Sequence, residues 1–344
     1  MREGTARVLE ALRRASGQSC SGAALSEELG RSRAQVWKHV ETLRSLGYGI
    51  EAAAGDGYRL VEGPDRLYPE ELRPGLETRW LAREIHWFDD VDSTNRIAQE
   101  LARDGAAHGT TVIAEGQTAG RGRLGRSFFS PAYQNLYTSV LLRPRLTTAD
   151  APSWILAAAV AVAESIEATV PDPEAVEIKW PNDVLLAGLK TSGILMELGA
   201  EATRVSHLVL GIGVNLNVSR DTLPDEFRHR ATSLASHSGH QIDRIAFAQR
   251  LYNRLEHVLD RCAESGFEAV RREFENRFRM TGQRVRVVEL VGTEIEGTAV
   301  GIDSDGALRI RLDHGEETRV VAGDVTLAKE PASPAPVPET GSTP

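Results

Sequence analysis

The stretch GRGRLGR, Gly120–Arg126, decides which fold the chain can have. Gly120, Gly122 and Gly125 satisfy G-x-G-x-x-G, the dinucleotide-binding spacing, which needs a strand before it and a helix opening at its end. The strand is expected, because Thr111, Val112 and Ile113 form a β-prone run just upstream. No helix is expected to open. SFFSPAYQNLYTSVLL, Ser127–Leu142, carries Pro131 and then runs on as another β-type segment. The P-loop reading fails as well, since no Lys-Ser or Lys-Thr pair follows Gly125. The loop is therefore something other than a nucleotide fingerprint of either kind. Its three arginines cost solvation and order unless an anion meets them, so an anionic ligand is the favoured reading over a mobile surface loop.

The remainder of the chain has to say which anion. Its 344 residues, 41% of them apolar, suggest two or three domains with a sizeable core, and its formal charge is −9. Cys20 and Cys262 lie far apart and neither belongs to a C-x-x-C, so two unpaired buried thiols in a reducing cytoplasm are expected rather than a disulfide framework or a zinc site. The longest apolar run, WILAAAVAVA, Trp154–Ala163, is too short to span a bilayer, and no signal-peptide core opens the chain. No membrane segment is expected.

Charge is uneven along the chain. Residues 1–61 carry nine basic against seven acidic side chains, a local excess of +2 in an acidic protein. Three helical patterns open it: ARVLEALRRA (Ala6–Ala15), SGAALSEELG (Ser21–Gly30) and SRAQVWKHVETLRSLG (Ser32–Gly47). In the third, Ser32 and Gln35 form a capping box, Val36, Val40 and Leu43 make the apolar stripe, and Gly47 ends the helix. Arg33, Lys38, His39 and Thr42 are left for its other faces. YGIEAAAGDGYRLVEG, Tyr48–Gly63, then reads as a β-hairpin turning at Gly55-Asp56-Gly57. Three helices and a hairpin suggest a winged helix-turn-helix. A small helical cap with a solvated charged face satisfies the same spacing, and the charge of the third helix tilts the reading toward DNA. Arg33 and Lys38 would meet phosphates or base edges, and Arg59 on the wing would touch backbone.

A boundary is expected at Gly63-Pro64. Residues 64–279 alternate β-type runs with helices in a mixed α/β domain, in which PSWILAAAVAVAESIEA (Pro152–Ala168) reads as a buried helix with a first-turn proline. Residues 280–329 alternate at period two between turn glycines, which suggests a small β-barrel. Residues 330–344 read as a disordered tail by composition.

Four segments of the middle domain carry polar groups that a core would not need. DSTN, Asp92–Asn95, taken alone reads as a helix N-cap. The second is EGQTAGRGRLGR, Glu115–Arg126. In KWPNDVLLAGLKTSGILMEL, Lys179–Leu198, a turn explains Pro181-Asn182-Asp183 but not the lone Lys190. In GIGVNLN, Gly211–Asn217, the glycines suggest a close strand contact or a bulge.

In this order, and behind a helix-turn-helix, DSTN, GQTAGRGRLGRSFFSP, KWPNDV, KTSGILMEL and GIGVNLN resemble the biotin-protein ligases, specifically the bifunctional type that is also the biotin operon repressor. The likeness runs from about Gly17 to Leu327. It implies an α+β chain: a winged helix-turn-helix, a central mixed-sheet ligase domain like the class II synthetases, and a C-terminal SH3-like barrel. It implies a cytoplasmic enzyme using biotin, ATP and Mg²⁺. Biotinyl-5′-AMP would form first, and its acyl group would pass to a lysine of a biotin carboxyl carrier protein. Operator DNA of biotin genes would be a second partner, bound by a homodimer of the adenylate-loaded protein.

Carried over by position, Ser93, Thr94 and Gln117 would hydrogen-bond the ureido ring with Asn95 beside them. Arg121, Gly122 and Arg123 would lie over the carboxylate and phosphate, and Lys190 would approach the reacting oxygens. Gly120, Arg126 and Phe128 would serve the nucleotide, and Asn182, Asp183 and Asn215 would support it and its metal, whose protein ligands the resemblance does not specify. Asp183 would also assist the acceptor lysine's loss of a proton. Two positions depart from the pattern: Phe128 stands where tryptophan is usual near the adenine, and Leu124 replaces an arginine. A lipoate-type ligase would use the same adenylate chemistry, though the G-R-G-R-x-G-R loop speaks for biotin. A ligand-sensing repressor without catalysis would not need Lys190.

Overall fold

A computed structural model describes residues 1–53, 57–201, 204–289 and 292–327. Helices α1 (Glu3–Arg14), α2 (Gly22–Leu29) and α3 (Arg33–Ser45) pack around Val8, Leu9, Leu12, Leu25, Val36, Val40 and Leu43. The Ser32–Gln35 capping box is formed. Gly47, at φ +94°, turns the chain out of α3 through a conformation that a side chain would strain. Strands β1 (Gly49–Ala53) and β2 (Gly57–Glu62) form an antiparallel hairpin; its expected turn, at residues 55–57, lies outside the described residues except for Gly57. One expectation for α3 is corrected. His39 does not join Arg33 and Lys38 on the open face but lies against α1, where its Nδ1 is 3.0 Å from Thr5 Oγ1 and its ring covers Gly4. The residue at this edge of α3 therefore binds the helical core together, and the exposed face is Arg33, Trp37, Lys38 and Thr42.

A linker with one short helix, α4 (Pro69–Leu72), leads to the central layer. Its elements are β3 (Ile85–Val91), α5 (Thr94–Arg103), β4 (Thr111–Gln117), β5 (Leu136–Leu142), α6 (Ala151–Glu167), β6 (Val176–Lys179), β7 (Asp183–Leu186), β8 (Leu189–Glu201) and β9 (Arg204–Val214). After them come α7 (Asp225–Arg228), α8 (Leu234–Ser238), α9 (Arg244–Ser265) and α10 (Glu268–Arg277). The seven strands are ordered β3-β4-β5-β9-β8-β7-β6, with β3–β4 parallel and the other pairs antiparallel. Between β4 and β5 the glycine loop forms only a three-residue turn at Arg123–Gly125, so the helix that a dinucleotide fingerprint needs is absent there.

Side-chain alternation divides this sheet into two faces. Ile113, Val140, Leu142, Leu208, Leu210 and Ile212 point to one face, where α6, apolar on every side, and α9 close the main core. Val112, Leu141 and Val209 point to the other, where α5 packs only part of the surface with Ala98 and Ala102. Beyond those residues the α5 face is lined by polar groups and glycines, and there the cavity opens.

Strands β10 (Arg284–Glu289), β11 (Glu294–Ile302), β12 (Leu308–Arg311), β13 (Glu317–Val320) and β14 (Gly323–Leu327) form one antiparallel sheet in the order β13-β12-β11-β10-β14. Val285, Val287, Ala299 and Ile310 extend the main core, and Trp180 donates its indole N–H to the Gly306 carbonyl at 3.0 Å. Residues 330–344, the expected tail, lie outside the described residues. Cys20 and Cys262 are unpaired, Cys262 buried and Cys20 only partly so. No helix among the described residues is long and apolar enough to cross a membrane.

Candidate active site

Sheet parity places the site. Ser139 on β5, Gly211 and Gly213 on β9, and Gly193, Leu195 and Glu197 on β8 all project to the α5 face, as the pairs Gly193–Gly213, Leu195–Gly211 and Glu197–Val209 require. Glycine is demanded by its neighbours at two of these positions. A Cβ at Gly211 would sit 2.0 Å from Asn95 Oδ1, and one at Gly213 would sit 2.7 Å from the Phe128 ring. The close-contact reading of GIGVNLN thus holds, with α5 and the glycine loop as what approaches. Gly213→Ala is expected to displace Phe128 and lower stability by about 1–3 kcal/mol, the usual cost of overpacking. Thermal unfolding with the ring environment followed by NMR checks it.

The result is a partly open cavity. Its walls include Ser93, Thr94, Asn95 and Gln117, with Arg121 tied to Asn95 through Glu197, and, around Gly193 and Gly213, Phe128 and Lys190 with Gly122, Arg123 and Asn182. The uncharged part of the wall is built from the start of α5. Ser93 is the N-cap residue, yet its side chain makes no capping bond, and it is buried. DSTN is thus a helix start whose polar side chains serve the cavity more than the helix. Gln117 Oε1 accepts from the Thr94 backbone N–H at 2.9 Å and lies 3.2 Å from Thr94 Oγ1, while Gln117 Nε2 donates to Ser130 Oγ at 2.9 Å. Ser139 donates to Asn95 Oδ1 at 2.6 Å.

Each cation of the cavity wall has a partner within the protein. Arg121 pairs with Glu197 at 2.9 Å, and Arg123 donates to Asn182 Oδ1 at 3.2 Å. Lys190 Nζ donates to Asp183 at 2.6 Å. Burial pushes the Arg123 guanidinium below the usual arginine value, against the opposing pull of Asp324 and Asp183. A bulge between β7 and β8 at Val184/Leu185 sets the register around Lys190, whose side chain lies over the bare backbone of Gly193.

Four of the expected residues are not in the cavity wall. Arg126 turns outward and makes a forked pair with Asp324 of β14, at 3.3 and 2.5 Å. Gly120 packs beneath the Phe128 carbonyl and Ser130. Asn215 is buried and donates to the Thr232 carbonyl at 3.1 Å, and Asp183 accepts from Lys190 just behind the wall. Sequence reading missed Ser139, Ser130, Tyr137 and Glu197. Glu197 did leave a signal, as the one acid in the apolar strand segment Ile194–Leu198.

The DNA-facing residues divide too. Arg33 and Lys38 are exposed on α3, whereas Arg59 is held by Glu51 across the hairpin. Trp37 is 52% exposed between them.

Comparisons with known proteins agree with this layout. Residues 87–215 match the biotin/lipoate A/B protein ligase family, residues 5–59 an HTH domain, and residues 281–327 the biotin protein ligase C-terminal domain. The chain is 38% identical over 320 residues to the bifunctional ligase/repressor BirA of Bacillus spizizenii, covering 93% of this chain and 97% of that one. It is 35% identical over 270 residues to the biotin--[acetyl-CoA-carboxylase] ligase of Mycobacterium tuberculosis, covering 74% and 97%. The biotin protein ligase of Aquifex aeolicus, solved with biotin and ATP, superposes with a TM-score of 0.61 at 30% identity, over 72% of this chain and 99% of that chain.

Proposed function

The chain belongs to the biotin protein ligases, within their bifunctional ligase/repressor group, and from that premise we propose how its residues divide the work. The protein activates biotin with ATP and passes it to a lysine of a biotin carboxyl carrier protein, and its winged helix represses biotin genes. The observation that carries this is one cavity lined both by the uncharged hydrogen-bonding groups of Ser93, Thr94, Asn95 and Gln117 and by Arg121, Arg123 and Lys190. A ureido ring fits the uncharged groups, and a carboxylate joined to a phosphate fits the cations.

In the first step a biotin carboxylate oxygen attacks the α-phosphorus of ATP, the bond to the β-phosphate oxygen breaks, and pyrophosphate leaves. Both reactants are anions, so Arg121, Arg123 and Lys190 lower the barrier by neutralising charge where they meet. In the second step the acceptor amine attacks the acyl carbon, and AMP departs with the bonding electrons. Asp183, freed as Lys190 turns to the phosphate, takes up the amine proton. Mg²⁺ would arrive with the triphosphate and screen its charge. Among the described residues no cluster of three or more His, Cys, Asp or Glu side chains could hold it independently of the nucleotide. Phe128 gives the adenine an apolar edge, and Gly120, Asn182, Asn215 and Arg126 shape the loop and strand ends around the nucleotide, Arg126 after leaving Asp324.

Biotin-dependent exchange of labelled pyrophosphate into ATP tests the ligase reading, and no exchange by the purified protein would end it. Arg123→Gly is expected to release the adenylate faster while still making it, because the half-buried guanidinium covers the anhydride. Biotin appearing on bystander lysines, read by streptavidin blot, is the expected result; unchanged adenylate release would remove Arg123 from this role.

The domain limits proposed are residues 1–63, 64–279 and 280–329. The adenylate-loaded protein pairs into a homodimer through its central sheet, which would present two α3 helices to two half-sites in the cytoplasm.

A further inference from the structure

Glu197 joins two parts of the site. One carboxylate oxygen lies 2.9 Å from the Arg121 guanidinium, at the start of the glycine loop. The other accepts from Asn95 Nδ2, also at 2.9 Å, at the start of α5. Asn95 is itself fixed: its Oδ1 accepts from Ser139 at 2.6 Å, the missing side chain of Gly211 makes room for it, and it is 3% exposed. Glu197 stands on β8 opposite Val209 of β9, beyond Gly193, where the pairing of β8 with β7 ends. Through it the first arginine of an otherwise glycine-rich loop is tied to the buried polar groups at the start of α5.

We propose that Glu197 is a positioning residue that holds Arg121 over the cavity and thereby sets how long the acyl-adenylate is retained. The inference rests on the ligase reading and adds a part to it. Arg121 is half exposed and its pair with Glu197 is 24% exposed on the acidic side, so the bond contributes little to folding stability. Its consequence is geometric. A guanidinium already above the site loses less freedom when it closes on an anion, and the ligand keeps more of the binding energy. The carboxylate also sits far enough along β8 that it reaches Arg121 from the Asn95 side, outside the set of residues that line the cavity.

Glu197→Gln removes the charge that holds Arg121 and keeps an oxygen that can accept from Asn95. The expected result is dissociation of preformed, labelled biotinyl-5′-AMP faster by about tenfold, the scale of one charge-assisted hydrogen bond. In pyrophosphate exchange the KM for biotin should rise by more than kcat falls. Glu197→Asp, which keeps the charge one methylene back, is expected to fall between the two. Unchanged retention in Glu197→Gln would overturn the proposal. Slower dissociation would overturn it also, because it would mean that Glu197 competes with the ligand for Arg121. If Glu197→Gln melts early, the same measurement on Glu197→Asp decides, with wild-type retention counting against the proposal. Absence of exchange in the unaltered protein would instead strike the ligase reading itself.

Discussion

Lys190→Ala is expected to slow formation of biotinyl-adenylate about 100-fold, roughly the 3 kcal/mol seen when one preorganised donor to a developing charge is removed. Lys190 is the lysine of the cavity wall, and it lies over Gly193 with its ammonium at the junction between the arginine loop and β7. Biotin affinity should change far less, since the ureido ring is proposed to meet Ser93, Thr94 and Gln117 instead. One confounding effect is built into the site: removing Lys190 strips Asp183 of its partner at 2.6 Å and leaves a carboxylate facing the incoming phosphates. The double variant Asp183→Asn with Lys190→Ala separates the two causes. If the double variant regains most of the lost rate, repulsion by Asp183 explains the defect and Lys190 has no direct role. Single-turnover adenylation measures both.

Removal of residues 1–63 is expected to abolish operator binding and to leave ligation nearly intact. The winged helix has its own core, and the site residues all lie beyond it. Its attachment is local: Arg13 donates to the Glu70 carbonyl at 2.6 Å and pairs with Glu71, Tyr48 donates to Glu71, and Tyr68 fills the edge of the helical core. Truncation therefore uncovers Tyr68, which keeps its edge contact with Trp87 at 4.7 Å between ring centres, and frees the Glu71 carboxylate to water. A modest loss of stability follows, with the cavity untouched. Footprinting of the intact protein on DNA upstream of biotin genes should show protection that depends on biotinyl-adenylate and weakens steeply with salt, as phosphate contacts by Arg33 and Lys38 require. A truncated protein that still protects the operator, or an intact one that never does, would remove the repressor role and leave the ligase role standing.

How much of this was legible beforehand depends on the range over which each residue acts. The capping box at Ser32 and Gln35, the stripe of Val36, Val40 and Leu43, and the alternation in β10 to β14 are local consequences of helical and strand periods, so a linear reading reaches them. The glycine loop could be denied its dinucleotide role from Pro131 and the strand that follows it, again a local matter. Which face of α3 His39 takes is not a local matter, because its partner, Thr5, is 34 residues away on another helix.

The sequence by itself determined the helix-turn-helix, the alternation that makes the sheets, and the set of polar segments that would meet at one cavity. Family likeness added their chemistry. Tertiary structure alone decided what each charge faces. Arg126 finds Asp324 across 198 residues, Asn95 finds Glu197 across 102, and Arg123 finds Asn182 across 59. Strand parity decided that Gly211 and Gly213 share a face with Ser139 and Glu197 while Leu210 and Ile212 face the core. The reason is physical: backbone propensity and amphipathic period act within a few residues, whereas an ion pair or a close glycine contact depends on which strands become neighbours, and that is settled only when the whole core packs.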